Sequence, residues 1–224
     1  MAGRMTLDQQ QLQKLPMFPL PNVVLLPGGL LPLHIFEQRY RDMTRDLLAG
    51  PGLLAMARLR ADTPADEAGQ PAVYSTVGVG QVIDSARLED GRYNILVRGL
   101  CRAEVAEELV CDTLYRQVRA VPLDDIDAEP MAVLRATQDK LLSLCDQLAD
   151  SLEPSGPQLR ALIRSASSPG ACADIVSAVL VADPDERQAQ LENLDPGQRL
   201  ERAIRHVDHI LSALHESGEH SVLN

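Results

Sequence analysis

The two lysines of this 224-residue sequence, Lys14 and Lys140, bear most directly on whether the chain can process a nucleotide. A phosphate-binding loop needs the pattern G-x-x-x-x-G-K-[ST], because its lysine reaches the phosphates and its hydroxyl group holds magnesium. Lys14 follows a glutamine-rich segment, and Lys140 lies in a helical pattern with no glycine nearby. The sequence therefore predicts no ATP hydrolysis, and no G-x-S-x-G motif or other ordered catalytic motif is present in it.

The histidines are the next candidates for chemistry, as metal ligands or as contacts to a ligand. His206 and His209 lie three residues apart, which places both rings on one face of a helix, and His215 follows. A zinc site needs further ligands that this spacing does not supply, so a solvated helix face is the favoured interpretation. His34 lies between alternating apolar residues, where it either contacts a ligand at the rim of a sheet or makes a structural hydrogen bond. No metal and no cofactor is predicted.

The four cysteines, Cys101, Cys111, Cys145 and Cys172, indicate the cellular compartment. They form no C-x-x-C pair, and no apolar signal segment precedes them, so the sequence predicts neither a zinc ribbon nor a disulfide framework. Reduced and mostly buried thiols are typical of an intracellular protein. No apolar run approaches the roughly 18 to 20 residues that span a bilayer. We therefore expect a soluble, cytoplasmic protein that does not enter a membrane.

A leucine-rich stretch around Gly28 and Gly29 is the candidate contact surface for another molecule. An exposed apolar patch is what a protein that binds unfolded polypeptide requires. Burial of the same leucines in the core is the alternative interpretation. The candidate polypeptide-binding residues are the four leucines that flank the glycine pair and one expected neighbour: Leu25, Leu26, Leu30, Leu31 and Met43.

Short elements in the first half predict a small β structure. Prolines between positions 16 and 32 exclude helix and confine any strand there to a sheet edge or a bend, and Gly28-Gly29 turns the chain. A helical pattern follows from Glu37 to Gly50. The apolar run 53–59 is predicted to be a central strand, and residues 60–72 have the composition of a solvated loop.

A β-hairpin is predicted next, because Asp90-Gly91 separates two runs with strand patterning. Gly78 and Gly80 predict bends or a bulge in its first strand, since a dinucleotide-binding loop would need a third glycine and an opening helix. The run RYNILVRGL is the second strand of the hairpin, and CRAEVAEEL and TLYRQVRAVPL are predicted as two more strands. The first half therefore reads as an antiparallel barrel or curled sheet with one helix.

The second half, after the charged linker 123–129, is predicted to be entirely helical. Apolar stripes from Leu134 to Leu148 and from Leu200 to Leu214 recur at three- and four-residue steps, so the two helices can pack on each other or on neighbours. Helices are predicted between them around 157–165 and 171–182. The sequences DPDE at Asp183 and DPGQ at Asp195 each begin a further helix.

Charge separates the two halves as clearly as secondary structure does. Residues 1–122 carry 13 Lys and Arg against 14 Asp and Glu, whereas residues 123–224 carry 8 against 18. An acidic half repels a phosphate backbone and suits a basic partner. Aromatic residues make up only 3% of the chain, so platforms for base stacking are scarce. The composition therefore argues against nucleic-acid binding.

Taken together, these segments resemble the amino-terminal substrate-binding domain of the ATP-dependent Lon proteases. The resemblance is carried by FPLPNVVLLPGGLLPLHIFEQRYRDM, by VGVGQVIDSARLEDGRYNILVRGLCRAEV and by ADPDERQAQLENLDPGQRLERAI, and it runs from about Met17 to about Leu214. It is closest to the stand-alone bacterial members that consist of this domain only. The resemblance implies an α+β fold, in which a PUA-like antiparallel β pseudo-barrel with one inserted helix is followed by an all-α helical bundle.

Domain limits and function are also implied by the resemblance. We expect a flexible tail over 1–15, the barrel over 16–125, the helical subdomain over 126–217 and a second tail over 218–224. The Ser-Lys dyad of the family needs a lysine from a protease domain that this sequence does not contain, so the chain is predicted not to be an enzyme. The leading hypothesis is a non-catalytic module that binds unfolded polypeptide, as a cofactor or adaptor of a protease or chaperone in protein quality control. RNA binding by a PUA-like barrel and an enzyme of unrecognised type are the alternatives.

Overall fold

Two compact units make up the chain, Met1–Asp124 and Asp125–Asn224. The structure, a computed structural model, describes residues 9–65, 69–126, 128–152 and 154–222. In that part of the chain, no helix is both long enough and apolar enough to cross a membrane. The first unit is built on a β-sheet and the second on α-helices, which confirms the predicted α+β class.

One mixed β-sheet organises the first unit. Its order is β2-β5-β4-β3-β1-β6, and β6 also pairs with β5, so the pairings of five strands return to their start and β2 extends the ring at β5. The sheet is mixed, and not wholly antiparallel as predicted, because β1 and β3 run parallel. The strands are β1 Leu15–Leu20, β2 Leu30–Ile35, β3 Leu53–Arg58, β4 Thr76–Arg87, β5 Tyr93–Leu109 and β6 Gln117–Pro122.

Strand β5 is longer than the sequence predicts. It is continuous from Tyr93 to Leu109, where the sequence analysis predicts two separate strands. Its first residues pair with β2, its last residues pair with β6, and β4 runs beside both parts. The register of β4 against β5 shifts between Val79 and Gly80, which confirms the predicted bulge.

The prolines of the first two strands lie where only one neighbouring strand pairs with them. Pro32 belongs to β2, which is at the edge of the sheet. In β1, Pro16 pairs with β6 and Pro19 pairs with β3, and the described residues place no second strand opposite either of them. Because proline has no N–H to donate to a ladder, the change of partner between Pro16 and Met17 lets β1 contain two prolines.

The segment that precedes the Gly28 turn lies directly against strands β4 and β5. A Cβ atom added to Gly78 would lie 2.0 Å from the carbonyl oxygen of Leu25. A Cβ atom added to Gly99 would lie 2.1 Å from the carbonyl oxygen of Leu26. The two strand glycines therefore provide the space that this backbone occupies, and both leucine side chains are buried.

Helix α1, Gln38–Ala49, lies between β2 and β3 in the chain and packs against β1 and β2. Its buried residues include Tyr40, Met43 and Leu47, which share a core with Phe18 of β1. The helix ends before Gly50, as the sequence predicts. The helix therefore covers one core of the first unit with the apolar stripe that its sequence shows.

Five α-helices are described in the second unit, and the stripes predicted for the first and last of them share one core. Leu141 and Leu148 of α2 lie in the same buried cluster as Leu200 and Val207 of α6. The first turns of three helices are capped by the side chain that precedes them, which includes the predicted starts at Asp183 and Asp195. The helices are α2 Met131–Asp150, α3 Gly156–Arg164, α4 Pro169–Leu180, α5 Pro184–Glu192 and α6 Pro196–Val222.

A buried ion pair connects three parts of the second unit. The side chain of Arg199 in α6 is completely buried, and its two Nη atoms donate to the Asp125 carboxylate over 2.6 and 2.8 Å. Its Nε lies 3.4 Å from Asp174 of α4, which is buried as well. A Cβ atom on Gly170 would lie 2.4 Å from Arg199 Nη2, so the first turn of α4 needs a glycine there.

Both predicted tails contain ordered secondary structure in the described residues. A short 3-10 helix, Gln9–Leu12, precedes β1, and the side chains of Leu12 and Leu15 are buried. Helix α6 continues to Val222, beyond the predicted limit at residue 217. Residues 1–8 of the first predicted tail and residues 223 and 224 of the second lie outside the described residues.

Candidate functional site

A groove on the first unit combines exposed apolar side chains with an aromatic floor. Its walls are the connection 110–116 between β5 and β6, the start of α1 at Arg39 and Tyr40, and the segment 69–71. The groove has a volume of about 690 Å³. We call it the β5–β6 groove, because the connection between these two strands supplies its apolar side chains.

Two residues of this connection expose large apolar side chains. Val110 is fully exposed, and Leu114 is 70% exposed, while Leu109 at the end of β5 is half-buried. Residues 110–116 lie outside both strands. Adjacent apolar side chains that are left in solvent in this way mark an interaction surface more often than isolated ones do.

Tyrosines with fixed orientations form the floor of the groove. The Tyr115 hydroxyl donates to Asp46 Oδ2 over 2.9 Å. The ring of Tyr40 packs on Phe18 with 4.2 Å between the centroids, and the Arg39 guanidinium lies 4.5 Å from its face. Burial, reinforced by the hydrogen bond to Asp46, raises the pKa of Tyr115 to about 12, and burial also raises the pKa of Tyr40. Both rings are therefore uncharged at neutral pH.

Paired charges and hydroxyl groups surround the apolar part of the groove. Arg116 donates to both carboxylate oxygens of Glu108 over 2.7 and 2.5 Å, and its Nη1 donates to the Pro71 carbonyl oxygen over 2.9 Å. The Thr113 hydroxyl donates to the Tyr115 carbonyl oxygen over 2.8 Å. The arrangement can bury apolar side chains of a partner while Arg116, Glu108 and Thr113 keep the hydrogen bonds they make within the chain.

The five residues that the sequence predicts as a contact surface differ in exposure and do not form one surface in the structure. Leu25 and Leu26 are buried, because Gly78 and Gly99 leave space for the backbone before the turn. Met43 is buried as well, because it lies on the side of α1 that faces the core. Leu30 is 49% exposed and Leu31 is half-buried. Neighbouring residues of a strand point to opposite faces, so these two leucines of β2 do not form one patch.

The exposed residues of the β5–β6 groove are not among those that the sequence analysis selects. The sequence predicts a strand from Thr113 onward, whereas β6 begins at Gln117 in the structure. The pattern VCDTL does contain a signal, since Asp112 and Thr113 favour turns and lie between Val110 and Leu114. Large apolar residues on both sides of such a turn have no strand neighbour to cover them.

Among the described residues, no histidine lines the groove, whereas one cysteine borders it. His34 is exposed. Its Nδ1 donates to Asn94 Oδ1 over 2.7 Å, and its Nε2 accepts from Arg92 Nη1 over 3.1 Å. Within the described residues, no group of three or more His, Cys, Asp or Glu side chains is placed to hold a metal ion. Cys111 borders the groove, with its Sγ 3.2 Å from Thr113 Oγ1. The four thiols are unpaired with one another.

Known relatives of the chain are Lon proteases. The chain is 26% identical to the Lon protease of Trichlorobacter lovleyi over 207 residues, which is 90% of this chain and 24% of the relative. It is 26% identical to Lon protease 2 of Myxococcus xanthus and 27% identical to the Lon protease of Aquifex aeolicus, over 86% and 87% of this chain. The chain therefore spans about a quarter of the length of the curated relatives that it matches.

Solved structures and a family model point to the same part of those proteins. The N-terminal domain of the Mycobacterium avium complex Lon protease superposes with a TM-score of 0.67 at 20% identity, covering 88% of this chain and 98% of that domain. A Lon N-terminal domain protein from Xanthomonas campestris gives a TM-score of 0.60 at 22% identity, covering 86% and 98%. The model of the ATP-dependent protease La (LON) substrate-binding domain matches residues 14–209, so the chain belongs to the LON substrate-binding domain family.

Proposed function

We propose that the chain is a non-catalytic module that binds unfolded polypeptide segments in the β5–β6 groove. The observation that carries this proposal is the pair of exposed apolar side chains, Val110 and Leu114, above an uncharged aromatic floor. Membership of a family named for substrate binding supports it. The chemistry is burial of apolar side chains of the bound segment, which needs no catalytic group.

The polar groups of the groove favour polypeptide over RNA as the occupant. Arg116 is already engaged with Glu108 and Pro71, so it has little capacity left to neutralise a phosphate. Tyr40 and Tyr115 are each almost fully buried, so they expose too little ring surface for a base to stack on. A polypeptide that contributes apolar side chains fits this groove better than a polyanion does.

Partners and pathway follow from the relatives and remain part of the proposal. The relatives are Lon proteases, and this chain matches about a quarter of their length. We place the module in protein quality control, as a cofactor or adaptor that delivers polypeptide to a protease or chaperone in the cytoplasm. Leu30, the more exposed of the two leucines on the edge strand β2, provides a second candidate contact for such a partner.

Titration of a labelled, reduced and unfolded protein against the full chain tests the groove. Val110→Ser and Leu114→Ser should each weaken binding roughly tenfold, because each removes an apolar side chain whose burial contributes on the order of 1 to 2 kcal/mol. Leu48→Ser is the matched control, since Leu48 is a similarly exposed leucine of α1 outside the groove. The control should bind as the wild type does.

Salt and a nucleic-acid competitor separate the proposal from its alternatives. Affinity for the unfolded protein should persist as the salt concentration rises, whereas RNA binding would weaken steeply because phosphate contacts release counterions. Salt-sensitive RNA binding without polypeptide binding would refute the proposal. Equal effects of Leu48→Ser and Leu114→Ser would remove the groove as the site. The purified chain is also expected to show neither ATPase activity nor casein degradation.

A further inference from the structure

Basic side chains from one face of the last helix line a recess of the second unit. Arg202, Arg205, His206 and His209 are spaced three, one and three residues apart, so they lie along the same side of α6. All four line a cavity of about 430 Å³, which α4 and α5 close on the other side. The recess is defined by these four residues together with Ser177, Val181, Glu186 and Gln190.

Basic side chains are scarce in this unit, and several are committed to partners outside the recess. Residues 125–224 contain 8 Lys and Arg against 17 Asp and Glu. Arg160 and Arg164 pair with Asp146, and Arg199 pairs with Asp125. In the described residues, Arg205 makes no ion pair, and Arg202 has a single one, with Glu186 at 3.9 Å. Two arginines with spare donors therefore meet in one recess of an acidic unit.

A serine and a histidine add hydrogen-bonding groups to the wall of the recess. Ser177 of α4 is only 2% exposed and lines the recess, and its hydroxyl has no hydrogen bond within the described residues. A hydroxyl group at the wall of the recess can donate a hydrogen bond to a ligand held there. His206 Nε2 donates to the Leu180 carbonyl oxygen over 2.9 Å, which fixes the ring at the wall of the recess.

We propose that this recess binds an oxyanion, a phosphate or carboxylate group of a small organic molecule. The planar guanidinium groups of Arg202 and Arg205 match the geometry of such an oxyanion, and the Ser177 hydroxyl supplies a further donor from the floor. The volume of about 430 Å³ exceeds what a bare anion fills and lies in the range of small-molecule sites. This site is separate from the β5–β6 groove and does not depend on the function proposed for it.

Replacement of Glu186 tests the proposal, because the expected change in oxyanion affinity is a gain. Its carboxylate lies in the recess and pairs with Arg202, so it competes with any incoming anion. Glu186→Gln should therefore strengthen oxyanion binding, although it removes the ion pair with Arg202. A purely structural role for the cluster gives no reason for a gain in affinity.

Calorimetric titration of the full chain in a buffer without phosphate provides the measurement. Pyrophosphate and succinate are the two probes, and the one that binds more tightly identifies the group as phosphate or carboxylate. Arg205→Ala should weaken binding of that probe about tenfold, the lower range for a charge-assisted hydrogen bond. Arg135→Ala, which removes an exposed arginine of α2 outside the recess, should leave the affinity unchanged.

Histidine ring signals in an NMR titration give the location. The signals of His206 and His209 should shift on saturation, while that of His34 in the first unit should not. The proposal is overturned if neither probe binds. It is equally overturned if Arg205→Ala and Arg135→Ala weaken binding to the same extent, because binding would then follow overall charge. It is also overturned if Glu186→Gln leaves the affinity unchanged, because the anion would then not lie beside this carboxylate.

Discussion

The two units of the chain build their cores in different ways. In the first unit, strands that are distant in sequence pair with one another, and the backbone at Leu25 and Leu26 packs directly on glycines of two strands. In the second unit, the core consists of side chains, mainly aliphatic stripes of helices, and its polar interior is the ion pair of Arg199 with Asp125 and Asp174. The first unit therefore depends on close backbone contacts between distant segments. The second depends mainly on side-chain packing and a buried charge, and has one comparable backbone contact, where a Cβ on Gly156 would lie 2.1 Å from the Ala149 carbonyl oxygen.

The surfaces of the two units also differ, both in net charge and in the side chains that they expose. The first unit is nearly neutral and exposes apolar side chains at the β5–β6 groove, whereas the second is strongly acidic and places two arginines in one recess. We propose a different class of ligand for each surface, apolar polypeptide for the groove and a small anion for the recess. If both proposals hold, this chain carries two independent kinds of contact, one on each unit.

Removal of the buried arginine should have the largest effect and tests the charge of the second unit. Arg199→Ala leaves the buried Asp174 carboxylate without this cation, and breaking a buried ion pair costs about 3 to 5 kcal/mol. The midpoint of urea unfolding, followed by far-ultraviolet circular dichroism, should fall sharply. Five of the six described α-helices belong to the second unit, so this signal reports mainly on it.

The control for this variant is Arg135→Ala, because Arg135 is exposed on α2. Exposed charges contribute little to stability, so its midpoint should stay close to that of the wild type. Should the two variants unfold at the same urea concentration, the buried ion pair would have no special role in this unit.

A methyl group at a strand glycine should have the next largest effect and tests the backbone fit of the first unit. In Gly99→Ala the new Cβ atom would meet the Leu26 carbonyl oxygen at 2.1 Å, and relieving such overpacking costs about 1 to 3 kcal/mol. Tyrosine fluorescence isolates this unit, because the four tyrosines all lie in it and the chain has no tryptophan. The fluorescence midpoint in urea should fall.

Gly50→Ala is the matched change for Gly99→Ala. The nearest atom to a Cβ at Gly50 is 3.6 Å away, which is ordinary van der Waals contact, and the residue is exposed. Its midpoint should therefore stay near that of the wild type. A Gly99→Ala variant as stable as Gly50→Ala would show that the segment before the Gly28 turn moves aside freely.

This difference between the units also explains how much the sequence could predict. The helices of the second unit follow from local spacing and capping, as at Asp183 and Asp195, and the Asp90-Gly91 hairpin follows from local turn chemistry. The parallel pairing of β1 with β3 joins distant residues, and no local pattern encodes it. The same is true of the buried contact between Arg199 and Asp125, 74 residues apart.

Site residues were harder to predict than the fold for a related reason. Leucine content alone does not show which side chains face solvent, so Leu25 and Leu26 resemble a binding surface until the strand glycines are seen beneath them. The exposure of Val110 and Leu114 depends on where β5 ends and β6 begins. Such boundaries are set by pairing between strands, and short apolar runs do not define them.

Ionisation of buried thiols should have the smallest effect and sharpens the comparison at high pH. Burial raises the pKa of Cys145 in the second unit to about 12 and that of Cys101 in the first to about 11, from an ordinary value of 9.0. The unfolded chain therefore loses these protons first as pH rises. The stability that each protonated thiol contributes is complete below pH 9.0 and is lost as pH approaches the folded value.

We expect Cys145→Ala and Cys101→Ala each to flatten the decline of the urea midpoint above pH 9.0, because each removes a thiol whose pKa burial raises in the folded chain. Other groups that titrate in this range, such as Tyr115, are present in all three proteins, so their effect cancels when each variant is compared with the wild type. At neutral pH neither variant should show any pH dependence that the wild type lacks. If all three proteins lose stability with the same slope, the Cys145 thiol ionises as readily in the folded core as in the unfolded chain. The helical core would then admit water at α2, and the contrast between a dry side-chain core and a backbone-packed sheet would not hold.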